Sequence, residues 1–313
     1  MAQNAVATVG KKPKKEKRSQ FSGMSKALVR RETISAYLFL LPSLIFFIGF
    51  VVIPMIMCVV FSLQEMGLDS SATKFIGFDN YVKMAQDPIF WKGFLNTVII
   101  VVVAVPAVTA FSLWVSSAIY QMKAVTRSFF RCVFYLPVVT GTVAVTVVWK
   151  WMFNPYNGLL NQIFGTTGYD WLGNSATAIW CIILILFTTS IGQPIVLYVA
   201  ALGNVDQSLV EAAQVDGATK LQVFWKIKWP QIMPTTLYIL VITTINSFQC
   251  FALIQLLTSG GPNHATDTIM YYIFQMAYNN QNFGYANAMG VVLAIIIAIF
   301  SAIQFKFAKT DNG

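Results

Sequence analysis

The sequence predicts an all-α integral membrane protein with six transmembrane helices, and three observations lead to this prediction. Of the 313 residues, 57% are hydrophobic and 11% are charged, whereas a soluble domain carries roughly 25% charged residues. Six runs reach the roughly 20 apolar residues that a helix needs to cross a bilayer. Each run is continuously apolar, unlike the alternating strands of a membrane β-barrel.

The predicted spans follow one another along a single transmembrane domain, residues 34–307. They cover residues 34–63, 94–120, 129–149, 176–203, 235–258 and 286–307. The first follows a basic segment, as a signal peptide would, but its apolar core is about twice the usual length and no small-residue cleavage site follows it. We therefore interpret it as a retained span. Residues 1–33 are expected to form a disordered basic tail, and residues 308–313 a short end.

Lysine and arginine predict the orientation, because they concentrate in cytoplasmic loops. If the amino terminus is cytoplasmic, only Lys74, Lys83, Lys92 and Lys150 of the 21 lysines and arginines lie outside. Both termini are then expected in the cytoplasm. The polar stretch over residues 208–234, between the fourth and fifth spans, is expected there too.

Several classes of protein are disfavoured by what the spans lack. No Asp or Glu lies in their apolar cores, and the single histidine, His264, falls in an outer loop, which disfavours an ion-coupled secondary transporter. The four cysteines have no paired spacing, so neither a metal site nor a disulfide framework is predicted. No catalytic constellation and no nucleotide-binding loop of the pattern G-x-x-x-x-G-K-[ST] is present, so no catalytic residue is assigned.

The polar stretch reads "SLVEAAQVDGATKLQVFWKIKWPQIMP" and predicts a bent pair of short helices. Ser208 with Glu211, and Thr219 with Gln222, fit the capping-box pattern at two helix starts. Gly217 stands where the first helix should end, because glycine tolerates the left-handed conformation of a C-terminal turn.

The end of the second helix and its exposed face are predicted from the same stretch. Pro230 is expected to end that helix. Leu221, Phe224 and Ile227 recur at helical spacing and are expected to form an apolar ridge. Exposed apolar residues on a surface segment usually contact a partner. The alternative is that the pair packs on its own bundle and that Glu211 only caps a helix.

This stretch resembles the EAA loop of ABC importer permeases, and nearly the whole chain, about residues 34–307, supports the resemblance. The matching positions are Glu211, Ala212, Ala213, Asp216, Gly217, Ala218, Ile227, Pro230 and Pro234. The segments "FYLPVVTGTVAVTVVWKWMFNPYNGLLNQ" and Gly260–Thr266 resemble the carbohydrate-uptake branch, the maltose and glycerol-phosphate type. Val205 and Asp206 replace the usual Ile-Pro before the loop, which leaves the local turn geometry open.

The resemblance implies the six-span permease fold of a bacterial or archaeal cell membrane and an energy-coupling role. The helix pair would dock in a cleft of a separate ATPase dimer, which binds the ATP and magnesium, while this chain binds no cofactor. Glu211 would anchor the loop, Ala212, Ala213 and Ala218 would allow close approach, and Gly217 would make the bend; we infer from the ridge that Phe224 is an apolar plug. A second, non-identical permease subunit is implied, and no nucleic acid.

An extracytoplasmic sugar-binding protein is a further implied partner. Its candidate docking surface comprises Asn154–Trp171 and Gly260–Tyr285. An aromatic belt at the membrane interface explains most of the tryptophans and tyrosines of the first segment equally well.

The candidate substrate path lies on the fourth and fifth spans, where neutral polar groups interrupt the apolar runs. Such groups suit an uncharged sugar, because charges at membrane depth are costly. Gln193 stands beside a Gly192/Pro194 break, where freed backbone groups tend to line a cavity. The candidate residues are Gln193, Thr243, Asn246, Ser247, Gln249 and Cys250. Ordinary hydrogen bonds between helices are the alternative, favoured for Thr244, and an importer of a non-sugar solute remains open.

Overall fold

The computed structural model describes residues 26–67 and 73–310. The predictions for most of the basic tail and for the last three residues therefore lie outside the described residues. The chain divides into two compact units, one up to Met57 and one from Cys58 onward.

The first unit is built from one long apolar helix. It comprises α1 (Lys26–Phe47), a π-helical segment (Ile48–Val52) and the start of α2 (Ile53–Ser62), which ends in the second unit. Residues Glu32–Ser62 are long and apolar enough to cross a membrane, and their apolar side chains are exposed along most of this length. The first predicted span is therefore a single helix with Pro42 inside it.

The second unit is almost entirely helical. Its elements are β1 (Gln64–Glu65), β2 (Lys74–Phe75), α3 (Asp79–Gln86), α4 (Pro88–Tyr120), α5 (Ala124–Val139), α6 (Thr142–Met152), α7 (Leu159–Phe164), α8 (Ala178–Ser190), α9 (Gly192–Gly203), α10 (Gln207–Val215), α11 (Lys220–Val223), a π-helical segment (Phe224–Lys228), α12 (Trp229–Phe248), α13 (Ala252–Leu257), α14 (Ile269–Phe274), a π-helical segment (Gln275–Asn279) and α15 (Phe283–Thr310). The two strands pair antiparallel, Gln64 opposite Phe75, a small ladder that the all-α prediction missed.

The structure identifies three helices that could each cross a membrane alone, among the described residues. They are Glu32–Ser62, Pro88–Tyr120 and Phe283–Lys306. Two bent pairs would raise the number to five: α5 with α6, bent by 96°, and α8 with α9, bent by 41°. The fifth predicted span is helical as α12, but its polar residues lower its hydropathy and the helix ends at Phe248. The count of six therefore stays a prediction.

Both bends occur where the sequence weakens the helical hydrogen-bond ladder. Pro137 lies inside α5, just before the break at Thr140 and Gly141. The α8/α9 break falls at Ile191, beside the predicted Gly192/Pro194 pair. A Cβ on Gly192 would lie 2.4 Å from the Phe134 carbonyl oxygen, so only glycine permits this close approach of α9 to α5.

α4 lies at the centre of the second unit and packs against α8, α9, α12 and α14. Two buried serines of α4 bond to the start of α9. The Ser112 hydroxyl donates to the Ile191 carbonyl at 3.3 Å, and the Ser116 hydroxyl donates to the Ile195 carbonyl at 3.0 Å. These bonds fix the kinked start of α9, which carries Gln193.

Asp87 joins three helices at the amino-terminal end of α4. Its Oδ1 caps α4 by accepting from the Ile89 amide at 2.9 Å and the Phe90 amide at 3.4 Å. Its Oδ2 accepts from the hydroxyls of Tyr272 on α14 and Tyr285 on α15, both at 2.7 Å. Burial alone would raise the pKa of Asp87, but these hydrogen bonds outweigh it and the pKa is lowered.

Candidate functional site

The cap of the first helix of the candidate coupling segment lies two residues earlier than the sequence suggests, at Asp206 and not at Ser208. Asp206 caps α10, because its Oδ1 accepts from the Ser208 amide at 2.9 Å and from the Ser208 hydroxyl at 2.7 Å. The predicted Ser208–Glu211 capping box is therefore wrong. The bonds from the Ser208 hydroxyl and amide lower the pKa of Asp206. A carboxylate cap thus replaces the Ile-Pro turn.

The bend at Gly217 has the predicted conformation. Gly217 has φ of +81° and ends a Schellman-type turn: its amide donates to the Gln214 carbonyl, and the Ala218 amide donates to the Ala213 carbonyl at 2.9 Å. The next helix starts with the predicted capping box, because Thr219 and Gln222 bond each other's backbone amides.

The second coupling helix does not end at Pro230, contrary to the prediction. α11, the π-helical segment and α12 follow without interruption from Lys220 to Phe248, with Pro230 and Pro234 inside α12. In the π-helical turn the Trp229 amide donates to the Phe224 carbonyl five residues back. The widened turn accommodates the proline, whose missing N–H would interrupt a regular α-helix.

The predicted ridge is only partly exposed, because the extra residue of the π-helical turn rotates the residues that follow it. Leu221 is 69% exposed, Phe224 is half-buried, and Ile227 packs inward against a cluster with Tyr198 and Ile232. Exposed apolar positions that the spacing did not identify are Leu209, Val215 and Trp225.

The helix pair therefore has one face on its own bundle and one face free in this chain. Val210 and Val223 are buried, and Ala213 and Ala218 pack beside them, as the alternative interpretation expected for this side. Glu211, Ala212, Asp216 and Gly217 are exposed. Ala212 can therefore allow a partner to approach closely, whereas Ala213 and Ala218 face the bundle and cannot.

Two adjoining clefts contain most of the predicted path residues. The first cleft, about 150 Å³, is lined by Gln193, Thr243 and Asn246 together with Tyr238. The second cleft, about 280 Å³, is lined by Gln249, Cys250 and Phe251. Val138 and Thr189 line both clefts.

Both clefts adjoin interruptions of helices. The second cleft lies between the α5/α6 break, at Thr140 and Thr142, and the α12/α13 break, at Gln249 and Phe251. The first adjoins the α8/α9 break through Ser190 and Gln193. Backbone at membrane depth leaves the regular helix where it lines a cavity, and the breaks beside these two clefts fit that rule.

Two other polar residues of α12, Ser247 and Thr244, do not line the clefts. Ser247 is 1% exposed and does not line either cleft. The Thr244 hydroxyl accepts a hydrogen bond from the Gln304 amide of α15 at 2.7 Å, which is the helix–helix bond that the alternative predicted for it. By contrast, the Gln193 and Asn246 side chains have no hydrogen bond to any other described residue, so their amide groups are free for a ligand.

The two candidate outer segments are ordered by buried polar residues. The Asn161 amide donates to the carbonyls of Asn154, Pro155 and Tyr169 and accepts from the Trp171 indole at 2.7 Å. In the second segment, Asp267 is fully buried and bonds His264; burial raises the pKa of Asp267, against the opposing effect of that bond. These hydrogen bonds hold both loop segments in a defined conformation.

Broken apolar helices, clefts with neutral polar lining groups and a bent polar segment together fit a membrane subunit for solute transport. The family described as "Binding-protein-dependent transport system inner membrane component" matches residues 84–309. The chain belongs to this family, the permeases of ABC importers, as the EAA-type motif predicted.

Curated relatives support the same assignment, and a solved structure shares the fold. The chain is 34% identical over 292 residues to the probable ABC transporter permease protein YurN of Bacillus subtilis, covering 91% of this chain and 99% of that protein. It is 33% identical to the diacetylchitobiose uptake system permease protein NgcF of Streptomyces coelicolor, covering 85% of this chain and 80% of that protein. One chain in the crystal structure of a bacterial alginate ABC transporter, in complex with an alginate pentasaccharide-bound periplasmic protein, shares the fold with a TM-score of 0.75 and 24% identity, covering 89% of this chain and 94% of that chain.

Proposed function

We propose that this permease forms half of the path by which an uncharged mono- or oligosaccharide enters a bacterial or archaeal cell, driven by a partner ATPase. The observation that carries the proposal is the pair of adjoining clefts, which share two lining residues and whose polar lining residues are all neutral. Free amides of Gln193 and Asn246 suit sugar hydroxyls, and Tyr238 and Phe251 offer aromatic faces for sugar rings. The diacetylchitobiose relative adds support for a carbohydrate.

The energy source in this proposal is a separate ATPase dimer that binds ATP and magnesium. The exposed face of the helix pair, with Glu211, Ala212, Asp216, Gly217 and Leu221, is the proposed contact. A second permease subunit, which we propose to be non-identical, completes the path. An extracytoplasmic binding protein delivers the sugar to the two ordered outer segments.

The proposed topology has six spans with both termini in the cytoplasm, α12 with α13 being the fifth. We expect a reporter-fusion or cysteine-accessibility map to place Gln20, Ala124 and Lys220 inside and Asp79, Asn161 and Asn263 outside, because the lysine and arginine distribution favours this orientation. A reporter at Asn312 should be active only in the cytoplasm. Activity of that reporter outside would contradict the even number of spans.

The sugar path is tested by removing the free amides of the first cleft. In the purified complex with its ATPase and binding protein, Gln193→Leu and Asn246→Leu should each raise the sugar concentration for half-maximal uptake roughly two- to tenfold. The reason is that a hydrogen bond to the ligand contributes about 0.5–1.5 kcal/mol. ATP hydrolysis stimulated by the binding protein should largely persist.

Thr244→Val is the matched control, since it removes a hydrogen bond between α12 and α15 and does not touch the cleft. It should lower the stability of the complex by about 0.6 kcal/mol and leave the sugar dependence unchanged. Unchanged sugar dependence in both leucine variants would show that the path lies elsewhere.

A further inference from the structure

A third cleft continues the row of clefts along α5 and α9. It has a volume of about 520 Å³ and is lined by Ser128, Arg131, Cys132, Tyr135, Gln193, Val196 and Leu197. Gln193 and Leu197 also line the first cleft. In the proposed orientation α5 rises from the cytoplasm at Ala124, so the third cleft lies at the cytoplasmic end of the row.

Arg131 is the one charged residue that lines any of these three clefts. It is the eighth residue of α5, roughly 10 Å along the helix axis from Ala124. Its guanidinium Nη2 donates to the Ser128 hydroxyl at 3.1 Å, and its Nε is buried without a hydrogen-bond partner. The side chain is half-buried, so it is held within the cleft wall.

No carboxylate offsets this charge on the surrounding helices. The sequences of α5, α8, α9 and α12 contain neither Asp nor Glu. The neighbouring cation on α5, Arg127, is engaged differently: it donates to the Tyr120 carbonyl at 3.2 Å and lies over the Tyr120 ring. The described helices that surround the third cleft therefore leave the positive charge of Arg131 without a carboxylate partner.

We infer that Arg131 is an electrostatic barrier that keeps protons and metal cations from leaking along the sugar path. A passage wide enough for a hydrated sugar offers no steric barrier to Na⁺ or K⁺, and a fixed positive charge repels cations without acting on a neutral solute. Low dielectric around a partly buried charge strengthens this repulsion. The inference rests on the proposed function, because it requires that the three clefts form one path.

The test measures cation leak and sugar uptake in the same proteoliposomes, containing the complete complex with ATP, sugar and binding protein. Arg131→Gln should raise the flux of protons and Na⁺, followed with entrapped dyes, about tenfold, because a unit charge about 10 Å away still repels a cation appreciably at an effective dielectric of about 20. Sugar uptake should persist. Arg131→Lys keeps the charge and should leak no more than the parent complex, and Arg127→Gln is the matched control outside the clefts.

A second measurement does not depend on how Arg131→Gln folds. Cys132 lines the same cleft and is exposed in this chain. In a complex whose other reactive cysteines are replaced, a sulfonate-bearing thiol reagent at Cys132 should increase the leak, and a trimethylammonium reagent should not.

Three outcomes would overturn the inference. The first is that Arg131→Gln leaks no more than Arg127→Gln, and the second is that Arg131→Lys and Arg131→Gln leak equally. The third is a loss of sugar uptake without leak in Arg131→Gln, which would make Arg131 a ligand contact. Absence of sugar uptake in the parent complex would instead contradict the proposed function.

Discussion

Gly217→Val is expected to abolish sugar-dependent ATP hydrolysis and uptake while leaving membrane insertion intact. Gly217 has φ of +81°, with open space where a Cβ would lie, so the obstacle is backbone strain and not a clash. Residues in such sparsely populated conformations cost about 1–3 kcal/mol, most for β-branched side chains. The helix pair would relax to another bend angle, and its exposed face would no longer match the partner. ATPase activity and uptake of the assembled complex measure the effect.

Two variants control for strain and for side-chain size. Gly77, in a loop before α3, has φ of +60° and equally open surroundings. Gly77→Val therefore imposes a similar backbone strain at a position distant in sequence from the coupling segment. This variant should leave coupling intact. Gly217→Asn should retain most activity, because asparagine tolerates the left-handed conformation. Uptake at the parent rate in Gly217→Val would remove the coupling role from this bend.

Asp87→Ala is expected to lower the free energy of unfolding by about 3 kcal/mol. The substitution removes the cap of α4 and leaves two tyrosine hydroxyls without their acceptor. Tyr272 and Tyr285 are 4% and 1% exposed, and a buried hydroxyl without a partner costs about 1–3 kcal/mol. Denaturant or thermal unfolding in detergent at pH 7 measures the loss. Asp79→Ala, an exposed acid on α3, is the matched control and should change stability by less than about 0.5 kcal/mol.

The deficit of Asp87→Ala should shrink in acid. Because the folded-state pKa of Asp87 lies below its ordinary value of 3.8, its contribution is fully present above that value and is lost as the pH falls through the folded-state pKa. The parent and variant unfolding curves should therefore converge well below pH 4. Equal stability of the Asp87→Ala and Asp79→Ala variants at neutral pH would contradict a joining role for this carboxylate.

Features that depend on local chemistry were predictable from the sequence. The bend at Gly217 and the cap at Thr219 follow from what a few neighbouring residues require of the backbone. The face of α12 that carries Thr243 and Asn246 follows from helical spacing, and the break beside Gln193 follows from Gly192 and Pro194.

Features that depend on distant residues were not predictable. The capping-box pattern placed the start of the first coupling helix at Ser208, whereas Asp206 caps it in the structure. Ser247 and Asn246 are adjacent on α12, and only packing against other helices decides that Asn246 enters a cleft. Pro137 and Gly141 mark a weak point between α5 and α6, but the 96° angle of the bend depends on the tertiary fold, so the residues that line the second cleft at this break were not predicted.

The π-helical segment Phe224–Lys228 sets the helical phase between the candidate coupling segment and the first cleft. Each residue in an α-helix advances the side-chain direction by about 100°, and a π-helical turn holds one residue more than an α-helical turn. Leu221 and Asn246 belong to one uninterrupted helix, so their relative direction depends on that additional residue. Conversion of the turn to regular α-helix would require a shift of everything on one side by one register position. The two ends of this helix can therefore be matched to different surfaces, an exposed one and a cleft, by a single irregular turn.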